Sequence, residues 1–250
     1  MQQYQAYWCR IVPDYRGTCL KDGDLHLVLR ATTAKHREKS KTRIFRPGSL
    51  VYMSPNIILT RKFYNRNTLQ VARDLLGKRL VKLEGGIRIA GLIVEAEAYR
   101  GEEDLGCHAK AGRTPRTQVM YGAPGHAYVY FTYGQHWMLN TVCEREGYPA
   151  AVLIRAIMPT EGIQVIATRR GSQPRKHWTD GPAKLCQALA IDRGFNGADL
   201  CTPEAILFVE SAEPVPDQAV TTGPRVGFNN VPEPWLSIPW RYRVAADYFV

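Results

Sequence analysis

The chain divides where its apolar positions begin to recur with a period. Before residue 56 there is little to read. Arg30, Lys35, Arg37, Lys39, Lys41, Arg43 and Arg46 form a basic run closed by Pro47-Gly48, and only Leu25, Leu27 and Leu29 alternate as a short strand would. A run of this kind marks a solvated arm, with a DNA-contacting tail as the alternative. Residues 1–55 are therefore expected to be a basic, disordered extension, and Met53, just before the first patterned region, is a candidate for the natural start. From residue 56 the punctuation is regular. Leu69, Ala72, Leu75 and Leu76 share one face of a helix that Asn67 or Thr68 can cap and Gly77 can end. Leu80–Leu83 and Ile87–Tyr99 read as antiparallel strands joined at Glu84-Gly85-Gly86. A polar loop from Arg100 to Arg116 leads to strands at Ala127–Tyr133, Trp137–Val142 and Ala150–Ala156. The spacing then predicts helices over Glu161–Arg170 and Pro182–Ala190 and strands over Ile206–Glu210 and Trp240–Val244. The expected fold is α+β: a single domain over residues 56–250, with flanking helices on a mostly antiparallel sheet.

Candidate chemistry starts at Val94-Glu95-Ala96-Glu97-Ala98-Tyr99. On a strand, Glu95, Glu97 and Tyr99 fall on one side and Val94, Ala96 and Ala98 on the other, with the two carboxylates roughly 6.5–7 Å apart. Taken alone, these are glutamates on the wet face of a sheet. Further on come His108 in the polar loop, Tyr128 and Tyr130 on one strand face, Tyr133-Gly134 at a turn, and Arg155 ending the apolar run Val152-Leu153-Ile154. Each has a structural explanation by itself, since aromatic residues favour strands and an arginine at a strand end usually pairs with a carboxylate. Together they suit one task. Aromatic faces and a histidine can sandwich a flat heterocycle, a carboxylate beside them can activate water, and a tyrosine at a turn tip can wedge into a base stack.

Composition narrows the classes. With 45% hydrophobic and 22% charged residues the chain is an ordinary globular one. No stretch approaches the ~18 apolar residues of a membrane span, and the N-terminus has no secretory h-region. Cys9, Cys19, Cys107, Cys143, Cys186 and Cys201 are scattered without a C-x-x-C pair, as in a reduced cytosolic protein with neither a disulfide framework nor a zinc site. Net charge is +10, but ten Lys and Arg against four Asp and Glu in residues 1–55 supply six of it. The remaining surplus supports an anionic partner only modestly.

The run from Glu95 to Arg155 resembles the alkyladenine (3-methyladenine) DNA glycosylase family of the mammalian type. The matching pieces are Glu95-Ala96-Glu97-Ala98-Tyr99, His108, Arg113-Thr114-Pro115-Arg116, Tyr128-Val129-Tyr130, Tyr133-Gly134, Asn140, Leu153 and Arg155. Gly181-Pro182-Ala183-Lys184-Leu185-Cys186-Gln187-Ala188-Leu189 and Arg225-Val226-Gly227 extend the likeness, which spans roughly Ile58 to Tyr242. It implies a curved sheet with a protruding hairpin, and a monomeric enzyme without metal or cofactor. Its partner would be damaged double-stranded DNA, approached through the minor groove, with no membrane involved, in the cytoplasm and nucleoid of a bacterium or the nucleus of a eukaryote. The reaction implied is base excision repair: hydrolysis of the N-glycosidic bond of 3-methyladenine, 7-methylguanine or a neutral lesion such as hypoxanthine or ethenoadenine, leaving an abasic site.

By position, the resemblance makes Glu97 the general base and Arg155 a residue that helps to hold the water. It makes Tyr99, His108 and Tyr130 the walls around the extruded base, and Asn140 a pocket position that disfavours the amino group of guanine. Tyr133 becomes the intercalating wedge, and Lys110, Arg113 and Arg116 candidate DNA contacts. Gln135 departs from the apolar residue that the family carries after the wedge glycine, which bears on lesion preference. Lys184 is assigned no lyase role. Two other readings compete: a carbohydrate O-glycosidase using Glu95 and Glu97 as an inverting pair, and a non-catalytic nucleic-acid-binding module that stacks bases on the aromatics.

Overall fold

Fourteen residues, Ile87–Arg100, form the strand on which the sheet is built. The computed structural model describes residues 57–250 except Asn229, Asp247 and Val250, so the expected N-terminal arm and Met53 lie outside the described residues. In chain order the elements are α1 (Arg61–Tyr64), α2 (Thr68–Asp74), β1 (Arg79–Glu84), β2 (Ile87–Arg100), β3 (Ala127–Thr132), β4 (His136–Val142), β5 (Ala150–Glu161), α3 (Ile163–Arg170), α4 (Pro182–Leu189), β6 (Leu207–Glu210), β7 (Val220–Gly223) and β8 (Arg241–Val244), with short 3₁₀ turns between them. The eight strands form one open sheet in the order β3-β4-β5-β2-β1-β6, with β8 added on β2 and β7 on β8. Every pairing among them is antiparallel. This is the α+β sheet that the alternation predicts.

β2 changes partner halfway. Its first half pairs with β1, through Leu92, and its second half with β8, from Glu95 to Glu97, while β5 runs along its other edge. At the changeover the β2–β5 register slips between Ile93 and Glu95 and again between Glu95 and Ala96, skipping Val94 and then Arg155. The slip has a packing reason. Ile89 and Ile93 point into the main core, and so do Ala96 and Ala98. Unbroken alternation from Ile93 would instead send Glu95 and Glu97 into that core. The bulge shifts the phase, so alanines continue the core and the carboxylates turn to the opposite face.

The main core lies under α2 and α4. Asn67 caps α2 by accepting from the Leu69 N–H at 3.0 Å, and Val71, Ala72, Leu75 and Leu76 are buried. α4 starts with Pro182 at its first turn and buries Leu185, Cys186, Ala188 and Leu189 against the sheet. A smaller core of Cys107, Ala109, Met120, Tyr121, Tyr128, Val142 and Ala151 covers part of the other face. β3 divides its side chains accordingly: Ala127 and Val129 join the main core, Tyr128 and Tyr130 the smaller one.

Three expectations need correction. The strand expected to stop at Ala156 continues through Pro159 to Glu161, and the following helix begins at Ile163. Pro159 is tolerated because it sits at a third register slip, opposite Gly91. A Cβ on Gly91 would stand 2.6 Å from the Met158 carbonyl, so only glycine permits this approach. β7 was not expected, being four residues long with Thr221 and Thr222 exposed. Glu95 is not on a wet face: its side chain is 15% exposed and ion-paired to two arginines.

Candidate active site

The pleat places one row of side chains straight across the sheet. Tyr128 on β3 stands opposite Asn140 on β4, Asn140 opposite Leu153 on β5, Leu153 opposite Glu97 on β2, and Glu97 opposite Arg241 on β8. Residues two positions away, Tyr130, Met138, Arg155 and Tyr99, share this face. All of these but Glu97 and Arg241 line a cleft of about 320 Å³, which His108 and Tyr133 also border. That volume is at the lower end for small-molecule sites.

Glu97 has no solvent exposure. Its Oε1 accepts from the Val226 N–H at 2.8 Å, its Oε2 accepts from the Tyr99 hydroxyl at 2.8 Å, and Arg155 Nε stands 3.3 Å from Oε1. Burial raises the Glu97 pKa above the ordinary carboxylate value. The Arg155 charge and the two donated hydrogen bonds oppose this, and the Glu95 charge adds to it. The Tyr99 hydroxyl is held neutral by burial and by the adjoining carboxylate.

The walls are aromatic. His108 opens a 3₁₀ turn, His108–Ala111, and its ring meets Tyr130 edge-on with centroids 4.5 Å apart. His108 Nδ1 lies 3.0 Å from the Tyr128 hydroxyl. Burial, with Arg116 and Lys110 nearby, lowers the His108 pKa to about 4, so the imidazole is neutral near pH 7. Asn140 is buried, and its Nδ2 donates to the Tyr128 carbonyl at 3.0 Å, which fixes the amide plane. The hairpin of β3 and β4 closes on two consecutive left-handed residues, Tyr133 (φ 53°) and Gly134 (φ 65°), with the Gln135 N–H donating to the Thr132 carbonyl at 3.1 Å. This conformation is costly for a tyrosine, about 1–2 kcal/mol, and it leaves Tyr133 82% exposed at the cleft's edge.

The three basic loop residues separate. Arg116 lies over the Tyr130 ring at 5.1 Å, with Nη2 3.5 Å from His108 Nε2, at the cleft's rim. Lys110 Nζ donates to the Leu105 carbonyl within its own loop, and Arg113 lies over Tyr121. None of the three lines the cleft, and of them Arg116 alone is placed against lining side chains, Tyr130 and His108. Neither carboxylate lines it: Glu97 lies behind Tyr99, Arg155 and Val226, and Glu95 is taken up by Arg155 and Arg241, so the two do not face each other across the cavity as an inverting glycosidase pair would.

Residues without a role legible in the sequence hold this arrangement. Arg225 and Asp104 form a fully buried ion pair, 2.5 Å and 2.7 Å between their atoms, and Arg225 also donates to the Ala98 carbonyl at 3.0 Å. The Arg225 guanidinium lies over the rings of Tyr99, Phe228 and Trp240. Asp104 in turn accepts from the Gly106 N–H at 2.9 Å, in the loop leading to His108. The pair thus ties the histidine loop, the Tyr99 wall and the Val226 amide together. Arg225 and Val226 do fall in a stretch that carries the resemblance, Arg225-Val226-Gly227, whereas Asp104 shows only as one acid of a polar loop.

Comparison with known proteins gives the chain's relatives. The family model described as methylpurine-DNA glycosylase matches residues 62–248. A protein of Methanocella arvoryzae is 49% identical over 187 residues, 74% of this chain and 91% of the relative. One of Anaeromyxobacter dehalogenans is 48% identical over 193 residues, 77% of this chain and 86% of the relative. One of Carboxydothermus hydrogenoformans is 44% identical over 194 residues, 78% of this chain and 98% of the relative. All three bear the name "Putative 3-methyladenine DNA glycosylase".

Proposed function

Because this chain belongs to the methylpurine-DNA glycosylase family, a family of hydrolases of N-glycosyl bonds, we propose that it excises alkylated purines from duplex DNA by a water that Glu97 activates. The observation that carries the reading is the Glu97 carboxylate, buried beneath an aromatic cleft and held by Tyr99, Arg155 and the Val226 amide. A carboxylate offers about four lone-pair positions. The Val226 and Tyr99 hydrogen bonds take one position on each oxygen, and the positions that remain can orient a water.

In this mechanism the damaged nucleotide leaves the stack and its base enters between Tyr99, His108 and Tyr130. Extrusion is cheapest for a base that pairs poorly, which is one source of selectivity. Tyr133, exposed at the hairpin tip, fills the vacated place from the minor groove. The water oxygen then bonds to the anomeric carbon as the bond to the purine nitrogen breaks. The bonding pair leaves with the purine, and Glu97 takes the water proton. A purine alkylated at N3 or N7 carries a positive charge that this electron pair neutralises, so no acid is needed for its departure. The ionised Glu97 also stabilises the positive charge that develops on the sugar. Stacking on electron-rich rings favours the cationic base over its neutral parent. Asn140, with its amide plane fixed, screens against the amino group of normal guanine. The domain over residues 56–250 is taken to be sufficient for this, acting as a monomer.

The decisive experiment incubates the protein with duplexes carrying 3-methyladenine, 7-methylguanine, hypoxanthine or ethenoadenine and resolves free base from abasic strand. Release of methylpurines is expected. Binding of the same duplexes without release of any base would instead make this a nucleic-acid-binding module.

A further inference from the structure

Glu95 is a charged side chain beside the base to which the mechanism gives no work, and its surroundings are unusual. Its single oxygen Oε1 accepts from Arg155 Nε at 2.7 Å and from Arg241 Nε at 2.7 Å. Arg155 is nearer to Glu95 than to Glu97, which it approaches at 3.3 Å. Arg241 stands directly opposite Glu97 in the β2–β8 register, yet its Nε donates to Glu95. The guanidiniums of Arg155, beside the base, and of Arg241, opposite it in register, therefore both donate to its neighbour.

From this geometry we infer that Glu95 is a positioning residue for base release: by holding Arg155 and Arg241 it keeps Glu97 from being consumed in ion pairs and leaves it an oxygen lone pair for water. The inference rests on the reading of Glu97 as the base. A guanidinium presents several donors in a fork that fits a carboxylate with two parallel hydrogen bonds. Without a competing acceptor, Arg155 and Arg241 would close on Glu97, both filling its lone pairs and weakening it as a base. The bulge makes the competition possible. Arg155 is the β5 residue skipped at the slip beside Glu95, so its side chain lies between the two carboxylates.

The charge balance around Glu97 sets the sign of the test. Glu95 and Tyr99 face it from β2, Arg155 from β5, Arg241 from β8 and Tyr130 from β3, while Arg225 on the 224–228 segment is occupied by Asp104. The Glu95 charge raises the pKa of Glu97, so removing it lowers that pKa; removing the positive charge of Arg241, opposite Glu97 in register, is expected to act in the other direction.

The test is single-turnover release of 7-methylguanine, followed against pH, for wild type and E95Q, E95D and R241Q. E95Q is expected to slow release by about tenfold or more, part of the 10²–10⁴ that a general base contributes, with duplex affinity unchanged. Its acid limb moves to lower pH. E95D keeps the charge and leaves the limb at its wild-type position, and R241Q moves it to higher pH. If E95Q does not unfold cooperatively, the R241Q limb decides, and an unmoved limb overturns the inference. So does an E95Q of wild-type rate, or a slowed E95Q whose limb stays in place, since a purely structural bracket would give that result. A wild type that releases no methylpurine overturns the proposed function and this inference with it. A wild type that releases base beside an unaffected E95Q overturns this inference alone.

Discussion

The Val226 N–H donates to Glu97 Oε1 at 2.8 Å, joining two residues 129 positions apart. Val226 belongs to no helix or strand. Its place is set by Arg225 beside it, locked to Asp104 and stacked on the Tyr99 ring. A backbone amide is a fixed dipole that does not titrate, so it stabilises the Glu97 carboxylate at every pH without competing for the proton that the base must accept. Burial pulls the other way, raising the Glu97 pKa. The balance suits a base that must be ionised in a dry site and still take a proton.

Replacing Glu97 by Gln removes the proton acceptor and keeps most of the shape. Base release is expected to fall by about 10²–10⁴, while affinity for a duplex containing 7-methylguanine is retained. Single-turnover release and equilibrium binding on the same duplex separate the two effects. Full excision by E97Q would dismiss Glu97 as the base.

The direction of the Glu97 shift fixes the acid side of the pH profile. Glu97 works only when ionised, and burial raises its pKa above that of an ordinary carboxylate. Activity should therefore be lost on acidification at a pH above the ~4.3 of a free glutamate. His108, lowered to about 4, adds no limb near the ordinary histidine value. The kcat/KM profile reports the free enzyme. A limb below pH 4 would mean that the attractive contacts outweigh burial.

How far the sequence announces this arrangement depends on the range of the interactions. The hairpin is local: a tyrosine and a glycine between two apolar strands announce a turn, and the turn lies there. The face shared by Glu97 and Tyr99 is also legible, because two-residue periodicity settles it once the strand is recognised. The phase shift at Glu95 is not legible. Nothing between Ile93 and Ala96 marks a bulge, since the slip arises from packing against β5, a strand some sixty residues away in the chain (Arg155 to Glu95, a separation of 60). Likewise, Asp104 reads as one more acid of a polar loop until Arg225, 121 residues on, is beside it. Lone charges conceal their partners, whereas strands and turns display their own period.

Tyr133 makes a separable contribution. It is 82% exposed, lies on the hairpin tip and makes no contact with Glu97, whose partners are Tyr99, Arg155 and Val226. Tyr133→Ala is expected to weaken capture of the extruded state by about 1–3 kcal/mol, the usual worth of one base–aromatic stack. The hydrolytic step at saturating enzyme should be largely preserved. Affinity for a duplex with a stable lesion analogue, set against the single-turnover rate, tests this. A variant that binds as tightly as wild type would remove Tyr133 from the DNA contact.

The Asp104–Arg225 pair should govern both stability and activity. Both side chains are fully buried, and Asp104 accepts two hydrogen bonds from the guanidinium besides one from the Gly106 amide. Asp104→Asn leaves Arg225 buried without its countercharge, a loss of about 3–5 kcal/mol in other buried pairs. Urea unfolding should show this as a lower midpoint at unchanged slope, because the surface exposed on unfolding stays the same. The consequence for activity follows from connectivity. Arg225 also carries the Val226 amide and braces the Tyr99 ring, so its displacement weakens two of the contacts on Glu97. At a temperature where the variant remains folded, base release should be slower than in wild type. A D104N protein less stable yet releasing base at the wild-type rate would confine the pair to a structural role.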